Sequence, residues 1–344
     1  MYMNAMILRE TALLREKRNP LEPADLHVPV PGNGEILIQV STCGVCHTEL
    51  DEIEGRTPPS RFPMILGHQI VGRVAELGKG STKFRPGDRV GVGWIHSACG
   101  ECLFCQTGRE NLCAAFKATG RDADGGYAEY AAIPETSAYS IPECFSDGEA
   151  APLLCAGAIG YRSLRLTDLE NGRNLGLTGF GASAHLVLKM ARFLYPDSRI
   201  FVFARSAKEQ EFARELGAMW SGDTAAAAPE KLHAIIDTTP AWKPITEALK
   251  NLERGGRLVI NAIRKEEGDK DCLLSLDYPA QLWLEKEIKS VANVARKDIE
   301  DFLRIASEID IRPKIEAYPL KEANRALCDL KDGKGTGAKV LTIA

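Results

Sequence analysis

The fold of this chain is decided by the stretch NLGLTGFGASA, residues 174–184. Its first half is an apolar run that predicts a strand, and its second half has the G-x-G-x-x-A spacing of a dinucleotide-binding turn. Residues 182–193 then predict a helix, and residues 199–203 predict a second strand. The glycine spacing alone is weak evidence, but between a strand and a helix it is strong, because the free helix amides can bind a pyrophosphate. The predicted cofactor-binding residues are Gly179, Phe180, Gly181, Ala182, Ser183 and Ala184.

The sequence has a different texture on the two sides of this turn. C-terminal to it, apolar runs alternate with helical segments, which predicts a doubly wound parallel sheet. These predicted strands are 232–236, 258–261 and 288–292. Two amphipathic helices and a closing strand end the chain and are expected to fold back onto the N-terminal part. They are predicted at 297–309, 320–330 and 339–343.

N-terminal to the turn, short strands separated by polar loops predict a twisted β-barrel that extends to Pro142. The clearest predicted strands are 36–40, 70–78 and 84–92.

Four cysteines in this region form a C-x2-C-x2-C-x7-C pattern: Cys99, Cys102, Cys105 and Cys113. Four thiolates this close in sequence can close a tetrahedral zinc shell with Zn–S bonds of about 2.3 Å. The polar residues between them argue against four buried free cysteines. An iron–sulfur cluster is a second alternative, because three close cysteines and a more distant one can also bind a cluster. A shell of four protein ligands leaves no open position, so the pattern favours a structural zinc site.

A second group of metal-ligand residues lies in CGVCHTELD, residues 43–51, and in the Gly67-His68-Gln69 that follows. Sulfur and imidazole nitrogen are ligands that zinc prefers, and carboxylates commonly orient them. A reduced cysteine by itself is more often a small buried hydrophobe. The four-cysteine pattern and the glycine turn favour the metal interpretation.

Size and composition restrict the class of function. A chain of 344 residues suggests about two domains, and a net charge of −4 gives no electrostatic reason to bind nucleic acid or an anionic membrane. The N-terminus lacks the pattern of a signal peptide, and no apolar run is long enough to span a bilayer. The ten cysteines therefore favour metal ligation in a reducing cytoplasm over a disulfide framework.

The whole chain resembles the zinc-dependent medium-chain alcohol dehydrogenases. The resemblance is carried by the cysteine lobe, the glycine turn and the segments GVCHT (44–48), GH (67–68), DGGY (124–127) and PLLCAG (152–157). GVCHT and PLLCAG are most similar to the microbial ethanol-type and cinnamyl-type branches. The resemblance implies an α/β fold class. Its parts are a GroES-like β-barrel catalytic domain, residues 1–156 and 294–344, and a Rossmann doubly wound parallel sheet, residues 157–293.

Two zinc ions per subunit are implied by the resemblance. Cys46, His68 and Cys155 would bind a catalytic zinc with one position left for water or substrate, and the four-cysteine lobe would bind a structural zinc. Cys155 argues against the polyol branch, which typically has a carboxylate there, and the zinc ligands argue against the zinc-free quinone reductases. Thr48 would pass the alcohol proton through the cofactor ribose towards Asp51.

Four positions depart from the family pattern. Gln69 replaces a usual Glu, so a carboxylate near the zinc is lost. The predicted catalytic residues are Thr48, Glu49 and Asp51. Asp51 replaces the usual relay His and has a lower unperturbed pKa, about 3.9 against 6.5. Thr57 is small where ethanol enzymes tend to have an aromatic, whereas Trp94 matches an aromatic that they keep. Ala338 replaces a terminal Arg, so His47 is expected to carry more of the pyrophosphate contact.

The end of the second predicted strand bears on cofactor choice. NAD-specific sites place a carboxylate there to bind the ribose 2′-hydroxyl. Here the sequence reads Ala-Arg-Ser-Ala-Lys over 204–208, with no carboxylate before Glu209. Arg205 and Ser206 can bind a 2′-phosphate, although Arg205 could also be a solvated surface charge. The prediction is NADP(H), with NAD as the alternative.

The sequence therefore predicts a cytoplasmic zinc-dependent alcohol dehydrogenase or aldehyde reductase that acts on primary alcohols, medium-chain or aromatic ones being favoured. Its partners are a small-molecule substrate and further copies of itself in a homodimer or homotetramer. One alternative is an NAD-dependent dehydrogenase of formaldehyde or sugar-alcohol type. The other is a non-catalytic paralogue that binds zinc and nucleotide.

Overall fold

The computed structural model describes residues 1–335 and 337–343, and the side chain of Ala182 lies outside the described part. The chain forms two compact units. The first consists of Met1–Cys155 and Val294–Ala344, and the second of Ala156–Asn293. No helix among the described residues is both long and apolar enough to cross a membrane.

The N-terminal part of the first unit is mostly β-structure. Its strands are β1 Tyr2–Leu8, β2 Leu21–His27, β3 Glu35–Val45, β4 Met64–Ile65, β5 Gln69–Leu77, β6 Arg89–Val92, β7 Ile95–Ser97, β8 Lys117–Ala118, β9 Tyr130–Pro134 and β10 Ala138–Ser140. Its helices are α1 His47–Ile53, α2 Leu103–Gln106 and α3 Asp147–Pro152, and a π-helical turn follows at Leu153–Gly157.

The second unit alternates strands and helices. Its strands are β11 Leu175–Thr178, β12 Ile200–Phe203, β13 Trp220–Gly222, β14 Leu232–Asp237, β15 Leu252–Ile260 and β16 Glu287–Ser290. Its helices are α4 Ala158–Leu166, α5 Ala182–Leu194, α6 Ala207–Glu215, α7 Lys243–Asn251 and α8 Tyr278–Gln281. The rest of the first unit contributes α9 Arg296–Glu308, β17 Ile315–Pro319, α10 Ala323–Lys331 and β18 Ala338–Thr342.

The largest sheet of the first unit has the order β10-β6-β5-β3-β18-β17, and β9 also pairs with β3. Along β3, Ile36, Ile38 and Val40 are fully buried, which is why this long strand forms the centre of the core. The antiparallel register sets Gly44 opposite Gln69. The end of β3 and the start of β5 therefore lie side by side, and the residues next to them, Cys46 and His68, are brought together.

The sheet of the second unit has six parallel strands in the order β13-β12-β11-β14-β15-β16. This is the strand order of a Rossmann fold. The central strands β11 and β12 are buried at every position, as expected for a sheet covered on both faces. In register, Thr178 lies opposite Phe203 and Asp237, so the carboxyl ends of β11, β12 and β14 are level. The predicted fold class is confirmed.

One predicted strand is shorter than expected. Of the predicted strand 84–92, only Arg89–Val92 is a strand. Residues 85–88 form a turn instead, in which the Arg85 amide donates to the Asp88 carboxylate at 2.8 Å and the Asp88 amide donates to the Arg85 carbonyl at 3.0 Å. Pro86 and Gly87 (φ 91°) suit this turn and cannot extend the ladder.

Candidate active site

The first helix positions Cys46 at its N-terminus. The Cys46 sulfur accepts from the Thr48 amide at 3.3 Å, and the Glu49 carboxylate accepts from the Cys46 amide at 2.8 Å. This reciprocal capping box fixes the start of α1. Glu49 is fully buried. Only one of its two carboxylate oxygens, Oε2, is used in the capping box.

His68 is oriented by that second Glu49 oxygen. The imidazole Nδ1 lies 2.6 Å from Glu49 Oε1, and Nε2 lies 3.7 Å from Cys46 Sγ. With Nδ1 donating to the carboxylate, Nε2 keeps its lone pair and points at the thiol. Gly67 before it has φ 94°, and a Cβ there would come within 2.4 Å of the Tyr127 ring, so only glycine fits.

Cys155 completes a group of three possible metal ligands. It lies in the π-helical turn Leu153–Gly157, a local distortion often found at functional sites. The ligand atoms of Cys46, His68 and Cys155 all lie within 4.8 Å of one another. A tetrahedral zinc with one sulfur and one nitrogen ligand separates these two atoms by about 3.6 Å, close to the observed distance. The three residues fit a zinc ion that keeps one position open.

The electrostatics of this group also favour a cation. Hydrogen bonding to Cys155 and burial raise the pKa of the Cys46 thiol. Burial opposes a charge on His68, but the charges of Glu49 and Cys46 outweigh it and raise the His68 pKa. A bound divalent ion would take the place of these protons, because thiolate and neutral imidazole are its ligands.

The other predicted metal site brings its four cysteines together. Cys99, Cys102, Cys105 and Cys113 have ligand atoms within 4.8 Å of one another, with Sγ···Sγ distances of 3.5, 3.6 and 3.8 Å for the hydrogen-bonded pairs. A tetrahedral ZnS4 site with 2.3 Å bonds has edges of about 3.8 Å. Sulfurs this close converge on a single ion, whereas a multi-iron cluster spreads its ligands over several irons.

The thiols of this lobe have divergent acidities. Backbone amides of Glu101 and Cys102 lower the pKa of Cys99 to about 6, while burial and the neighbouring thiols raise the pKa of Cys105 to about 12. The Cys99 thiol therefore loses its proton more readily than an ordinary thiol, and the thiolate is the form that binds a metal.

Two predicted relay residues lie on α1. Thr48 is buried in the first turn of the helix. Asp51 is also buried, and Arg56 forms an ion pair with it and another with Glu54 at 2.6 Å. Burial opposes a charge on Glu54, but hydrogen bonds from Lys331 and Arg56 lower its pKa to about 2. The Asp51 carboxylate therefore belongs to a chain of alternating charges, which its sequence position did not indicate.

Glu52, on the same helix, is a residue that the sequence pattern did not single out. It is fully buried, and neither carboxylate oxygen has a hydrogen-bond partner among the described residues. Burial and the nearby Glu49 raise its pKa well above the usual range. The hydroxyls of Thr119 and Tyr127 are likewise buried without a described partner. The burial of Glu52 could not be predicted from the sequence, because a charged residue in an acidic helix is expected to be solvent-exposed.

The residues that depart from the family pattern are placed as follows. Gln69 is buried, and its side chain lies against the backbone of Gly44. Thr57 is half-buried, and its amide donates to the Asp51 carbonyl. Trp94 stacks under the Arg121 guanidinium, 5.1 Å from the ring centre. His47 is exposed, and Ala338 is the first residue of β18.

The glycine turn of the second unit lies directly after β11. Gly179 has φ 77°, and its amide donates to the Phe203 carbonyl at 2.9 Å. Gly181 precedes α5 and provides no side-chain cap, and a Cβ there would meet no atom within 4 Å. Because no described side chain caps the start of α5, its N-terminal amides are left for an anion.

The remaining residues of the glycine turn differ in how deeply they are buried. Phe180 is buried and packs edge-on against Phe212, while Ser183 is half-buried and Ala184 buried. The side chain of Ala182 lies outside the described residues. His185, which the sequence reasoning missed, hydrogen-bonds through Nδ1 to the Gly181 carbonyl at 3.1 Å.

At the end of β12, Arg205 is exposed, and no ion pair or hydrogen bond of its side chain occurs in the described structure. Ser206 caps α6: its hydroxyl accepts from the Glu209 amide at 3.2 Å and donates to the Glu209 carboxylate at 2.9 Å. The Ser206 hydroxyl therefore already has partners, whereas Arg205 is available for a ligand.

Comparison with known proteins agrees with this architecture. Residues 32–143 match the family model of the alcohol dehydrogenase GroES-like domain. The chain is 42% identical over 329 residues to the "probable alcohol dehydrogenase AdhA" of Mycobacterium tuberculosis, covering 94% of this chain and 93% of that protein. It is 30% identical over 345 residues to an alcohol dehydrogenase of Geobacillus stearothermophilus, covering 97% of this chain and 99% of that protein.

Among solved structures, a cinnamyl alcohol dehydrogenase of Sorghum bicolor superimposes with a TM-score of 0.83 at 26% identity, covering 99% of this chain and 98% of that one. A GroES-like unit with two thiol-rich metal groups and a Rossmann unit define an oxidoreductase of the alcohol dehydrogenase type. The chain belongs to the zinc-type medium-chain alcohol dehydrogenase family.

Proposed function

We propose that this protein is a zinc-dependent alcohol dehydrogenase or aldehyde reductase that uses NADP(H) and favours medium-chain or aromatic primary alcohols. The observation that carries the proposal is the convergence of the ligand atoms of Cys46, His68 and Cys155, three ligands that would leave the fourth position of a tetrahedral zinc open. In this proposal, residues 1–156 and 294–344 are the catalytic domain and residues 157–293 are the nucleotide-binding domain.

The three ligands would hold the catalytic zinc, and Glu49 would keep His68 in the tautomer that binds it. When bound, zinc supplies a Lewis acid that lowers the pKa of a hydroxyl at its open position. The nicotinamide supplies the hydride acceptor or donor. Thr48 would accept the alcohol proton at its hydroxyl oxygen. Asp51 would be the outer acceptor, and its carboxylate is held in an ion pair with Arg56.

The four-cysteine lobe would hold the second, structural zinc, so that each subunit binds two. The single-ion spacing of its sulfurs supports zinc over an iron–sulfur cluster. Its role would be to order a segment that has little packing of its own, since no residue of α2 is buried.

The choice of NADP(H) is supported by the end of β12. No carboxylate occurs there before Glu209, and that carboxylate is engaged with the Ser206 cap. Arg205 would pair with the 2′-phosphate through its guanidinium. The glycine turn and α5 would bind the pyrophosphate, with His47 as a further contact for it.

The proposed substrate class is supported by the small side chain of Thr57. Each additional methylene that a substrate buries contributes about 0.8 kcal/mol of binding free energy. Longer or aromatic alcohols are therefore expected to have a higher kcat/KM than ethanol. The cinnamyl alcohol dehydrogenase of Sorghum bicolor, by its name, acts on an aromatic alcohol.

We also propose that the protein acts in the cytoplasm as a homodimer or homotetramer. All ten cysteines lie in the described residues and all are free, as a reducing compartment requires. Strand β16 is an exposed sheet edge with Tyr278, Trp283 and Ile288 exposed near it in sequence, a surface suited to a second copy.

The proposal is tested by nicotinamide absorbance assays on ethanol, hexanol and benzyl alcohol, each with NADP and with NAD. We expect kcat/KM to be higher for hexanol and benzyl alcohol than for ethanol, and higher with NADP. A kcat/KM for ethanol equal to that for hexanol and benzyl alcohol would contradict the proposed substrate class. A protein with full zinc content and no turnover on any alcohol or aldehyde would contradict the enzymatic function.

A further inference from the structure

A buried ion pair lies behind the glycine turn of the second unit. Asp237 is fully buried at the carboxyl end of β14, and the Lys265 side chain is 7% exposed. The Lys265 ammonium bonds to Asp237 Oδ2, to the Thr239 carbonyl at 2.6 Å and to the Ala241 carbonyl at 3.1 Å. An ammonium has three donors, and here each of them has an acceptor. Two of the three bonds hold main-chain atoms of the segment 237–241.

That segment contacts the first glycine of the turn. The other Asp237 oxygen accepts from the hydroxyls of Thr178 at 2.7 Å and Thr239 at 2.8 Å. Thr178 is the residue immediately before Gly179. A Cβ at Gly179 would lie 2.8 Å from the Thr239 methyl and 2.9 Å from the Thr238 hydroxyl, so the segment packs directly on the glycine.

The loop that supplies Lys265 is attached to the same segment by two further contacts. The Glu266 amide donates to the Pro240 carbonyl at 2.8 Å. The Asp269 carboxylate accepts from the amides of Trp242 at 3.0 Å and Lys243 at 2.7 Å. Lys265 is the member of this attachment that reaches Asp237 at the end of the buried strand.

We propose that Lys265 is a positioning residue for the nicotinamide cofactor: through Asp237 and the carbonyls of 239 and 241 it fixes the backbone on which Gly179 rests. This rests on the proposed nucleotide-binding role of the turn. A buried ion pair is seldom retained for stability alone, because desolvation offsets much of its attraction. Its placement against the glycine gives it a function.

Removing Lys265 alone leaves an unpaired buried charge that can prevent folding. The test therefore uses Lys265→Met combined with Asp237→Asn, which removes both charges and keeps an oxygen for Thr178 and Thr239. The matched control is Lys286→Met, since Lys286 also bonds two carbonyls of this unit, those of Leu249 at 3.0 Å and Ala280 at 2.9 Å, with no contact to the turn.

The probes are NADPH and NADH, titrated by fluorescence on the zinc-loaded proteins. The double variant is expected to bind the preferred cofactor about tenfold more weakly, as loss of one or two hydrogen bonds allows. Its KM for that cofactor is expected to rise with little change in kcat, while Lys286→Met lowers the melting temperature only. A folded double variant with wild-type affinity would overturn this inference alone. A wild-type protein that binds neither nucleotide would overturn the proposed function as well.

Discussion

At the scale of single residues, the site depends on how each charge is paired. Glu49 serves both Cys46 and His68, Asp51 is paired with Arg56, and Glu52 has no described partner. These carboxylates belong to one short helix and differ only in which way each side chain faces. Their environments therefore give them different roles.

Replacing Glu52 by Gln is expected to raise the melting temperature at neutral pH. Burial raises the Glu52 pKa above its unfolded value, so the folded state binds the extra proton, and unfolding free energy falls as pH rises through that window. Gln cannot ionise, so its advantage over wild type should grow from pH 5 to pH 8. The measurement is thermal unfolding of both zinc-loaded proteins across this range.

Glu54→Gln is the matched control because the Glu54 pKa is shifted in the opposite direction, so its effect on stability should depend on pH in the opposite sense. Hydrogen bonds lower the Glu54 pKa to about 2, so its carboxylate stabilises the fold above the unfolded pKa and loses this effect as pH falls towards 2. Glu54→Gln should destabilise at pH 7 and less so in acid. An advantage of Glu52→Gln that stays constant with pH would contradict an ionisable buried carboxyl.

Arg205→Ala is expected to lower kcat/KM for NADP by about tenfold or more, since a charge-assisted contact contributes about 1.5–3 kcal/mol. Values for NAD should change little. Arg214→Ala is the control, because Arg214 lies on α6 and is already paired with Glu211. A wild type that prefers NAD, or an Arg205→Ala protein with an unchanged preference, would exclude the NADP assignment.

At the scale of elements, the cysteine lobe has little apolar packing at its helix. Helix α2 buries no residue, and one contact of the lobe with the rest of the first unit is made where Glu110 accepts from the Arg296 amide at 2.7 Å. In the proposed function, a structural zinc would supply the order that a core supplies elsewhere.

Cys102→Ser is expected to lose one zinc, lower the melting temperature and expose the lobe to proteolysis, because three thiolates no longer close the tetrahedral shell. Cys144→Ser, which alters an exposed free cysteine, should change none of these. Metal analysis and limited proteolysis are the measurements. Iron and sulfide in the wild-type lobe, or an unchanged zinc content in Cys102→Ser, would argue against a structural zinc.

At the scale of the whole molecule, the sequence was sufficient to predict those features that depend only on the spacing of residues along the chain. The glycine turn after β11 and the alternating strands predict the Rossmann sheet, because these signals are local. Residues that meet through tertiary packing could not be predicted. In the sequence, Arg56 and Lys265 look like ordinary surface charges, although they pair with Asp51 and Asp237. The turn at 85–88 shortens the strand predicted over 84–92.

The central claim is that Cys46, His68 and Cys155 hold the zinc at which the alcohol reacts. It is tested most directly by measuring zinc content and turnover together in Cys46→Ser and Cys43→Ser. Cys43 is fully buried three residues earlier in the chain and belongs to neither ligand group. We predict one zinc per subunit and no turnover for folded Cys46→Ser, and two zinc ions with turnover for Cys43→Ser. A Cys46→Ser protein that keeps two zinc ions and wild-type activity would contradict it.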